Sequence, residues 1–560
     1  MNSQLTFLDI LVFVIYFIIV AGYGYSIYLK RKKHEHDAKA YFLAEGTLTW
    51  WAIGASLIAS NISAEQFIGM SGEGFFLGVA VAAYEWLAAV ALIIIAVWFI
   101  PVYLKNHIYT MPQFLKTRYN ETVALIMAVF WLFLYIFVNL TSILYLGAVA
   151  INGLVGGQGL HIIMVGLAIF ALFISLGGMK VVAYTDVIQV AVLIIGGLVT
   201  SYIALTTVAE YFGGSGILSG FNALMKDAPD HFKMMIPKPG ENATQEDYNK
   251  YLTFPGLLSY AAGIWIINLN YWGCNQYITQ RALGADLQTA RTGILFAGFL
   301  KLLMPVIVML PGIAAYVLYK NEQLPQLVGG KDGAYSAMLT FLPTGLKGLS
   351  VAALTAAIVA SLAGKVNSIS TIYTLDIHKK YFQKGADERQ QVIVGRIAVF
   401  VSIVVAVMFT WTDVLGIGGE GGFTFIQKYT GFISPGVFAM FFLGMFWKRT
   451  TGAAAVAGVL TGFLLSVLFN EYAPQLFGND TWFYTAYPNG RGGFEIPFHI
   501  CMGLSFLFTM ILMIGMSLAG PKVNPKAFEL DKEMFKLRPS TITLIVVTLM
   551  IIFALYVKFW

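Results

Sequence analysis

Charge is scarce in this chain: 11% of its 560 residues are Asp, Glu, Lys or Arg, against 58% hydrophobic residues. So little polar surface cannot cover a soluble globule of this size, and the chain must live in lipid. Cysteine is scarcer still. Cys274 and Cys501 both lie in apolar runs and can build neither a disulfide framework nor a tetrahedral metal site. No HExxH, P-loop or GxSxG pattern occurs, which argues against metal- or phosphate-centred chemistry and against an enzyme. Nothing resembles an appended soluble domain. The first apolar run begins near Leu5 without a basic leader or a small-residue cleavage motif, so it is expected to stay as a helix.

What is abundant is apolar sequence in long runs. About fourteen runs of roughly 18 to 30 residues are each long enough to cross a hydrocarbon core about 30 Å thick as a helix. The expectation is an all-α polytopic protein forming one membrane domain over residues 1–560. The net charge of +6 needs no nucleic acid to explain it. Lys and Arg gather in alternate loops: Lys30 to Lys33; Lys105, Lys116 and Arg118; Lys379, Lys380, Lys384 and Arg389; Lys448 and Arg449; then Lys522 to Arg538. Basic loops stay on the cytoplasmic side. Both termini, and the longer polar loops 212–253 and 472–494, are then expected on the other side of a multi-pass cell-membrane protein.

Two of these helices carry polar clusters: Ser60-Asn61-Ile62-Ser63-Ala64-Glu65-Gln66 in the second, and Asn268-Leu269-Asn270-Tyr271-Trp272-Gly273 in the seventh. They stand five helices apart, as interruptions do in transporters built from inverted repeats, where unwound helices expose backbone near the midplane. The alternative is plain hydrogen bonding between helices. Ionisable residues are also kept inside apolar runs, namely Glu85, Asp186, Lys301 and Lys365. Each costs at least about 2.5–3.5 kcal/mol at a helix centre unless paired or hydrated. Glu85 and Lys301 could pair as a structural bridge. The functional reading groups Asn61, Gln66, Glu85, Asn268, Lys301 and Gln427, which combine an acid, an ammonium and bifunctional amides. A sugar needs that mixture, because each of its hydroxyls both donates and accepts. Tyr271, Trp272 and Met70 add apolar faces suited to a pyranose ring.

The sequence resembles the solute:sodium symporter family over almost its whole length. The matching stretches include Asn61-Ile62-Ser63-Ala64-Glu65-Gln66-Phe67-Ile68-Gly69-Met70, Tyr84-Glu85-Trp86, Thr185-Asp186-Val187-Ile188-Gln189, Tyr271-Trp272-Gly273, Phe299-Leu300-Lys301-Leu302 and Ser434-Pro435-Gly436. The resemblance implies a leucine-transporter-like core of two inverted five-helix repeats, over 49–211 and 254–447. An accessory helix precedes it over 5–29, and three more follow over 451–560. It implies sugar contacts at Asn61, Gln66, Glu85, Asn268, Lys301 and Gln427, with Tyr271 closing the inner side beside Met70 and Trp272. It further implies a sodium ion held by the backbone of Ala59, Ile62 and Ala357 and the hydroxyl of Ser361, with an exit route past Asp186 and Asn139.

Three positions depart from the family pattern. A serine is replaced by Ala88, which removes one hydroxyl partner from the sugar. A hydroxyl residue is replaced by Ala360, which removes one sodium ligand, and Lys365 stands one turn beyond Ser361 on the same face. The expected function is sodium-coupled symport of a hexose-like sugar. The alternatives are a sodium-independent carrier in which the Lys365 ammonium replaces the ion, and a sugar-binding membrane sensor. Expected partners are the sugar, sodium and the bilayer. The sequence leaves the oligomeric state open.

Overall fold

The computed structural model describes residues 5–31, 49–63, 65–108, 110–155, 159–175, 179–283, 285–324, 327, 329–417 and 421–560. Among these, eleven spans are long and apolar enough to cross a membrane, and two shorter apolar helices lie at Phe7–Tyr23 and Leu160–Ser175. On the orientation that the loop charges predict, the second helix has an inner arm, Trp50–Asn61, and an outer arm continuous with the span Gln66–Lys105. Helices therefore occupy all of the runs expected to be helical. The one sheet among the described residues is a two-residue hairpin, Tyr487–Pro488 against Phe494–Glu495.

The chain folds into two compact units, each drawing on both halves of the sequence. The first comprises Met1–Ala82, Trp131–Lys233 and Leu300–Ile426; the second comprises Ala83–Phe130, Met234–Phe299 and Gln427–Trp560.

The axis of the first unit is the ninth helix, Leu346–Thr371, which continues as the π-turns Ile372–Phe382. The most apolar stretch of this span is 94% buried, so it is a core element and not a lipid-facing one. Around it pack the first, fifth, sixth and tenth helices, Phe7–Arg31, Leu160–Ser175, Met179–Tyr211 and Glu388–Thr410. The first helix also caps the ninth. Asp9 Oδ1 accepts from the backbone N–H groups of Gly345 (2.7 Å) and Gly348 (3.0 Å), which would otherwise be orphan donors at a helix start.

Two helices, the second and the eighth, are broken for reasons visible in their residues. In the second, the ladder stops at Ile62 N–H to Ile58 C=O (2.7 Å) and resumes with the amides of Gln66 and Phe67 on Ser63 C=O. Ile62 is extended (φ −75°, ψ 109°), and the chain then continues as a π-turn, Glu65–Met70, and the outer arm Ser71–Leu77. The eighth is split into Leu287–Lys301 and Met304–Lys320. Pro305 accounts for this, because it has no N–H to return to the carbonyl of Lys301 four residues earlier. The outer arm of the second helix lies backbone to backbone on Met304–Lys320: a Cβ on Gly312 would stand 1.9 Å from Ser71 C=O, and one on Gly74 2.6 Å from Met309 C=O.

In the second unit, Gly452–Val467 packs on Phe498–Leu518, while Pro539–Phe559 has only 11% of its most apolar stretch buried and is a peripheral, lipid-facing helix. Arg118 is fully buried and donates to the carbonyls of Gly444, Trp447 and Thr450 at and beyond the end of the helix Gly422–Phe446, a cation at the negative helix pole.

The expected interruption of the seventh helix at its polar cluster is not present. Residues Ile264–Gly273 are continuous α-helix, flanked by a π-turn at Ser259–Gly263 and a stop at Cys274. The two amide side chains find acceptors without unwinding, although Asn270 Oδ1 stays buried and unpartnered. Asn268 Nδ2 donates to its own helix at Ile264 C=O (2.9 Å), and Asn270 Nδ2 donates to Ser434 Oγ (3.0 Å).

Candidate functional site

In the first unit, the break of the second helix determines what lies beside it. The carbonyls that follow Ile58 leave the helical ladder, so the backbone of Ala59 and Ile62 presents oxygen near the polar turn. The inner arm packs against the ninth helix, whose Ala357 and Ser361 are one turn apart on one face. Ser361 is completely buried and its Oγ has no protein partner. A buried hydroxyl in that condition calls for a ligand. The donor set of backbone carbonyls plus one hydroxyl therefore fits a hard cation. Ala360 is buried and brings no oxygen, and Lys365, 2% exposed, stands one turn further along the ninth helix.

Lys301, at the end of its half-helix before Pro305, is 1% exposed, and its ammonium donates to Asn61 Oδ1 at the end of the inner arm. This bond joins two of the expected sugar contacts within the unit. It ties the tip of the eighth helix to the break of the second. Its charge is also placed at the carbonyl-rich end of its own half-helix, which favours an ammonium. Gln66, on the π-turn past the break, is buried with Oε1 unpartnered, and Met70 closes the same turn fully buried.

A row of buried polar atoms without protein partners continues along the ninth helix. It comprises Asn367 Nδ2, Ser370 Oγ and Thr374 Oγ1, with Gln189 Oε1 on the sixth helix packed against it. Neighbouring hydroxyls behave differently, since Ser368 and Thr371 donate to the carbonyls of Gly364 and Asn367 in the usual manner. Unpaired atoms in a row are suited to water or a passing ion. Gln189 lies in a stretch that matches the family, but the sequence assigned none of these residues a role. Asn139 is buried on the π-turn Leu134–Leu140, which also packs on the ninth helix. The side chain of Asp186 lies outside the described residues, so its part in the exit route and any pairing with Lys365 do too.

The second unit holds the other expected contacts. Glu85 and Ala88 are buried on the helix Ala82–Ile94, Gln427 is half-buried in Gly422–Phe446, and Asn268 spends one amide hydrogen on its own backbone. Tyr271 and the buried Trp272 meet edge to face at 5.2 Å between ring centroids, and Tyr103 O–H donates to Gly273 C=O at 2.7 Å, fixing the end of that helix. Among the described residues no group of three or more His, Cys, Asp or Glu side chains is placed to hold a metal ion.

Comparison with known proteins bears on this arrangement. A family model described as "Sodium:solute symporter family" matches residues 41–462. The sodium/glucose cotransporter of Vibrio parahaemolyticus is 40% identical over 573 residues, covering 99% of each chain. The human sodium/myo-inositol cotransporter 2 is 34% identical over 487 residues, covering 82% of this chain and 69% of the relative. Among solved structures, a sodium-coupled sialic acid symporter in a substrate-bound outward-open state superposes with a TM-score of 0.74 at 19% identity, covering 93% of this chain and 99% of that one. At that identity the likeness shows the fold.

Proposed function

Because the chain belongs to the sodium:solute symporter family, we propose that it is a secondary active carrier that couples sodium entry to uptake of a hexose-like, polyhydroxylated solute. It is a multi-pass membrane protein, and sodium is the coupling ion of its family. The observation that supports a sugar is the buried pair of Lys301 and Asn61 beside the helix break, with the unpartnered Gln66 amide oxygen on the next turn. Together they offer an ammonium and two amides, the donors and acceptors that hydroxyl groups need. Asn61, Gln66 and Lys301 are assigned to the sugar on this ground; Glu85, Asn268 and Gln427, with Tyr271, Trp272 and Met70 as closing faces, rest on the resemblance of their motifs. Ala59, Ile62, Ala357 and Ser361 are assigned to sodium, and Asn139 and Asp186 to its exit. The two inverted repeats are assigned to 49–211 and 254–447, and both termini to the outer side.

One sodium per sugar would make the carrier concentrative. A 100 mV potential supplies about 2.3 kcal/mol and a tenfold sodium gradient about 1.4 kcal/mol more, which drives roughly several-hundred-fold accumulation.

The test is uptake of labelled galactose, glucose and myo-inositol into proteoliposomes, under an inward sodium gradient and in potassium alone, with Lys365→Ala beside the parent. Accumulation above equilibrium in sodium alone supports the reading. Equal, non-concentrative uptake in both salts overturns the coupling, and failure of every polyol overturns the substrate class.

A further inference from the structure

Glu73, Lys331 and Asp332 lie at the end of the first unit that the loop charges assign to the outside, and none of the three is assigned to sugar or sodium. Glu73 sits on the outer arm Ser71–Leu77 and is 1% exposed in its side chain. Its Oε1 accepts from Lys331 Nζ at 2.7 Å and from Thr424 Oγ1. Its Oε2 has no partner. Asp332, 4% exposed, accepts from Gly422 N–H on Oδ2 at 2.9 Å, and its Oδ1 has no partner. Glu73 thus holds the ammonium, Asp332 lies within its electrostatic reach, and each carboxylate keeps one buried oxygen unspent. The cluster joins three elements: the outer arm, the turn Gly330–Gly333, and the first residues of the helix Gly422–Phe446. They meet closely. A Cβ on Gly72 would stand 2.8 Å from Asp332 Oδ1, and one on Gly421, at φ +84°, 2.3 Å from Lys331 Cε. Lys331 is 21% exposed in its side chain, so water reaches the cluster from its side.

We propose that this cluster is a proton-binding latch: hydronium from the outer solution gives its proton to Asp332 Oδ1, and the protonated cluster holds the outer arm of the broken helix to the start of the Gly422–Phe446 helix, which arrests transport. The charge balance follows directly. With both carboxylates ionised the cluster carries one uncompensated negative charge on largely buried oxygens. One proton neutralises it, and the hydronium leaves as water.

Other groups near Asp332 do not supply the missing positive charge. Tyr145 on the packed helix Thr141–Leu154 is within electrostatic reach and is neutral. Tyr335 on the following helix interacts with Thr200, 3.4 Å away. The side chain of Glu65, on the π-turn packed below, lies outside the described residues. Burial raises the Asp332 carboxyl to about 6, opposed by Lys331 and by the Gly422 N–H and assisted by Glu73. A carboxyl raised in the folded state prefers its proton there. Its stabilising contribution is complete below its ordinary value near 3.8 and is lost as the pH rises through about 6. The latch is therefore tight in acid and released at neutral pH, where an open arrangement hydrates the Asp332 carboxylate.

The transport arm of the test rests on the carrier reading; the stability arm does not. Sodium-driven uptake is measured against external pH in the parent and in Glu73→Gln, Lys331→Met and Asp332→Asn. The parent should lose uptake as the pH falls through about 6. Lys331→Met should move that midpoint up by about one unit or more, Glu73→Gln should move it down, and Asp332→Asn should abolish it. In parallel, the melting temperature of the purified protein should rise from pH 7 to pH 5 in the parent and stay flat in Asp332→Asn. Retention of the parent's midpoint by Asp332→Asn, shifts of Glu73→Gln and Lys331→Met in the same direction, or a flat parent melting profile each overturn the latch. A titrating melting temperature with no uptake of any polyol leaves the latch standing and removes the sugar reading.

Discussion

Substitution of Ser361 by Ala separates a sodium ligand from an idle hydroxyl, because the two roles predict effects of opposite sign. An unpaired polar group buried in a helix interface destabilises its protein by about 1–3 kcal/mol, so removing the orphan Oγ should stabilise the sodium-free protein. If that oxygen faces a bound cation, the same change removes a polar contact to a full charge, worth about 1.5–3 kcal/mol, and weakens sodium by about tenfold or more. Binding stabilises the folded state by RT ln(1 + [Na]/Kd). At sodium ten times above the parent's Kd, the parent gains about 1.4 kcal/mol, and a variant bound tenfold more weakly gains about 0.4 kcal/mol. The assay is thermal unfolding of the purified protein in sodium and in matched potassium, and it needs no sugar. The expected result is a raised melting point in potassium together with a sodium-dependent increment reduced by about 1 kcal/mol. A sodium increment equal to the parent's would refute the assignment of Ser361.

Replacing Lys301 with Met should weaken the sugar by about 1.5–3 kcal/mol, tenfold or more in half-saturating concentration, and Asn61→Ala should act on the same pair, so that the double variant loses less than the sum of the singles in an uptake double-mutant cycle. Asp9→Ala should lower the unfolding free energy by about 1–2 kcal/mol while leaving the sodium and sugar constants unchanged, since its carboxylate serves only the start of the ninth helix and its own first turn. Gly312→Ala should reduce folded yield far more than Gly166→Ala: the first places a methyl 1.9 Å from a backbone oxygen, and the second places one where nothing lies within 4 Å.

The sequence and the structure agree where the signal is local. Ser60 to Gln66 concentrates polar residues in an otherwise apolar run, and the second helix breaks within that stretch. The seventh helix misled for a related reason: Asn268 and Asn270 look the same in sequence, yet one bonds back to its own helix and the other finds Ser434, 164 residues away. The split of the eighth helix at Pro305 was not read from the sequence, and that Lys301 would end beside Asn61 depends on a contact 240 residues long. The row of Asn367, Ser370 and Thr374 was hidden differently. Such residues normally satisfy themselves on the preceding turn, and only burial against a neighbouring helix shows which ones do not. The Glu73 and Lys331 pair spans 258 residues and has no local pattern at all.

The bond from Asp9 to the start of the ninth helix also constrains how the protein is made. The first helix enters the bilayer early in synthesis, carrying a carboxylate whose backbone partners arrive 336 and 339 residues later. Until then the carboxylate has only Thr6 to bond with, in the first turn of its own helix. The first helix thus gains these two bonds only once the start of the ninth has been made. A ribosome stalled before Gly345 would hold a chain whose first helix has the sixth to pack on but lacks the central helix. Membrane chaperones would meet the nascent protein in that interval.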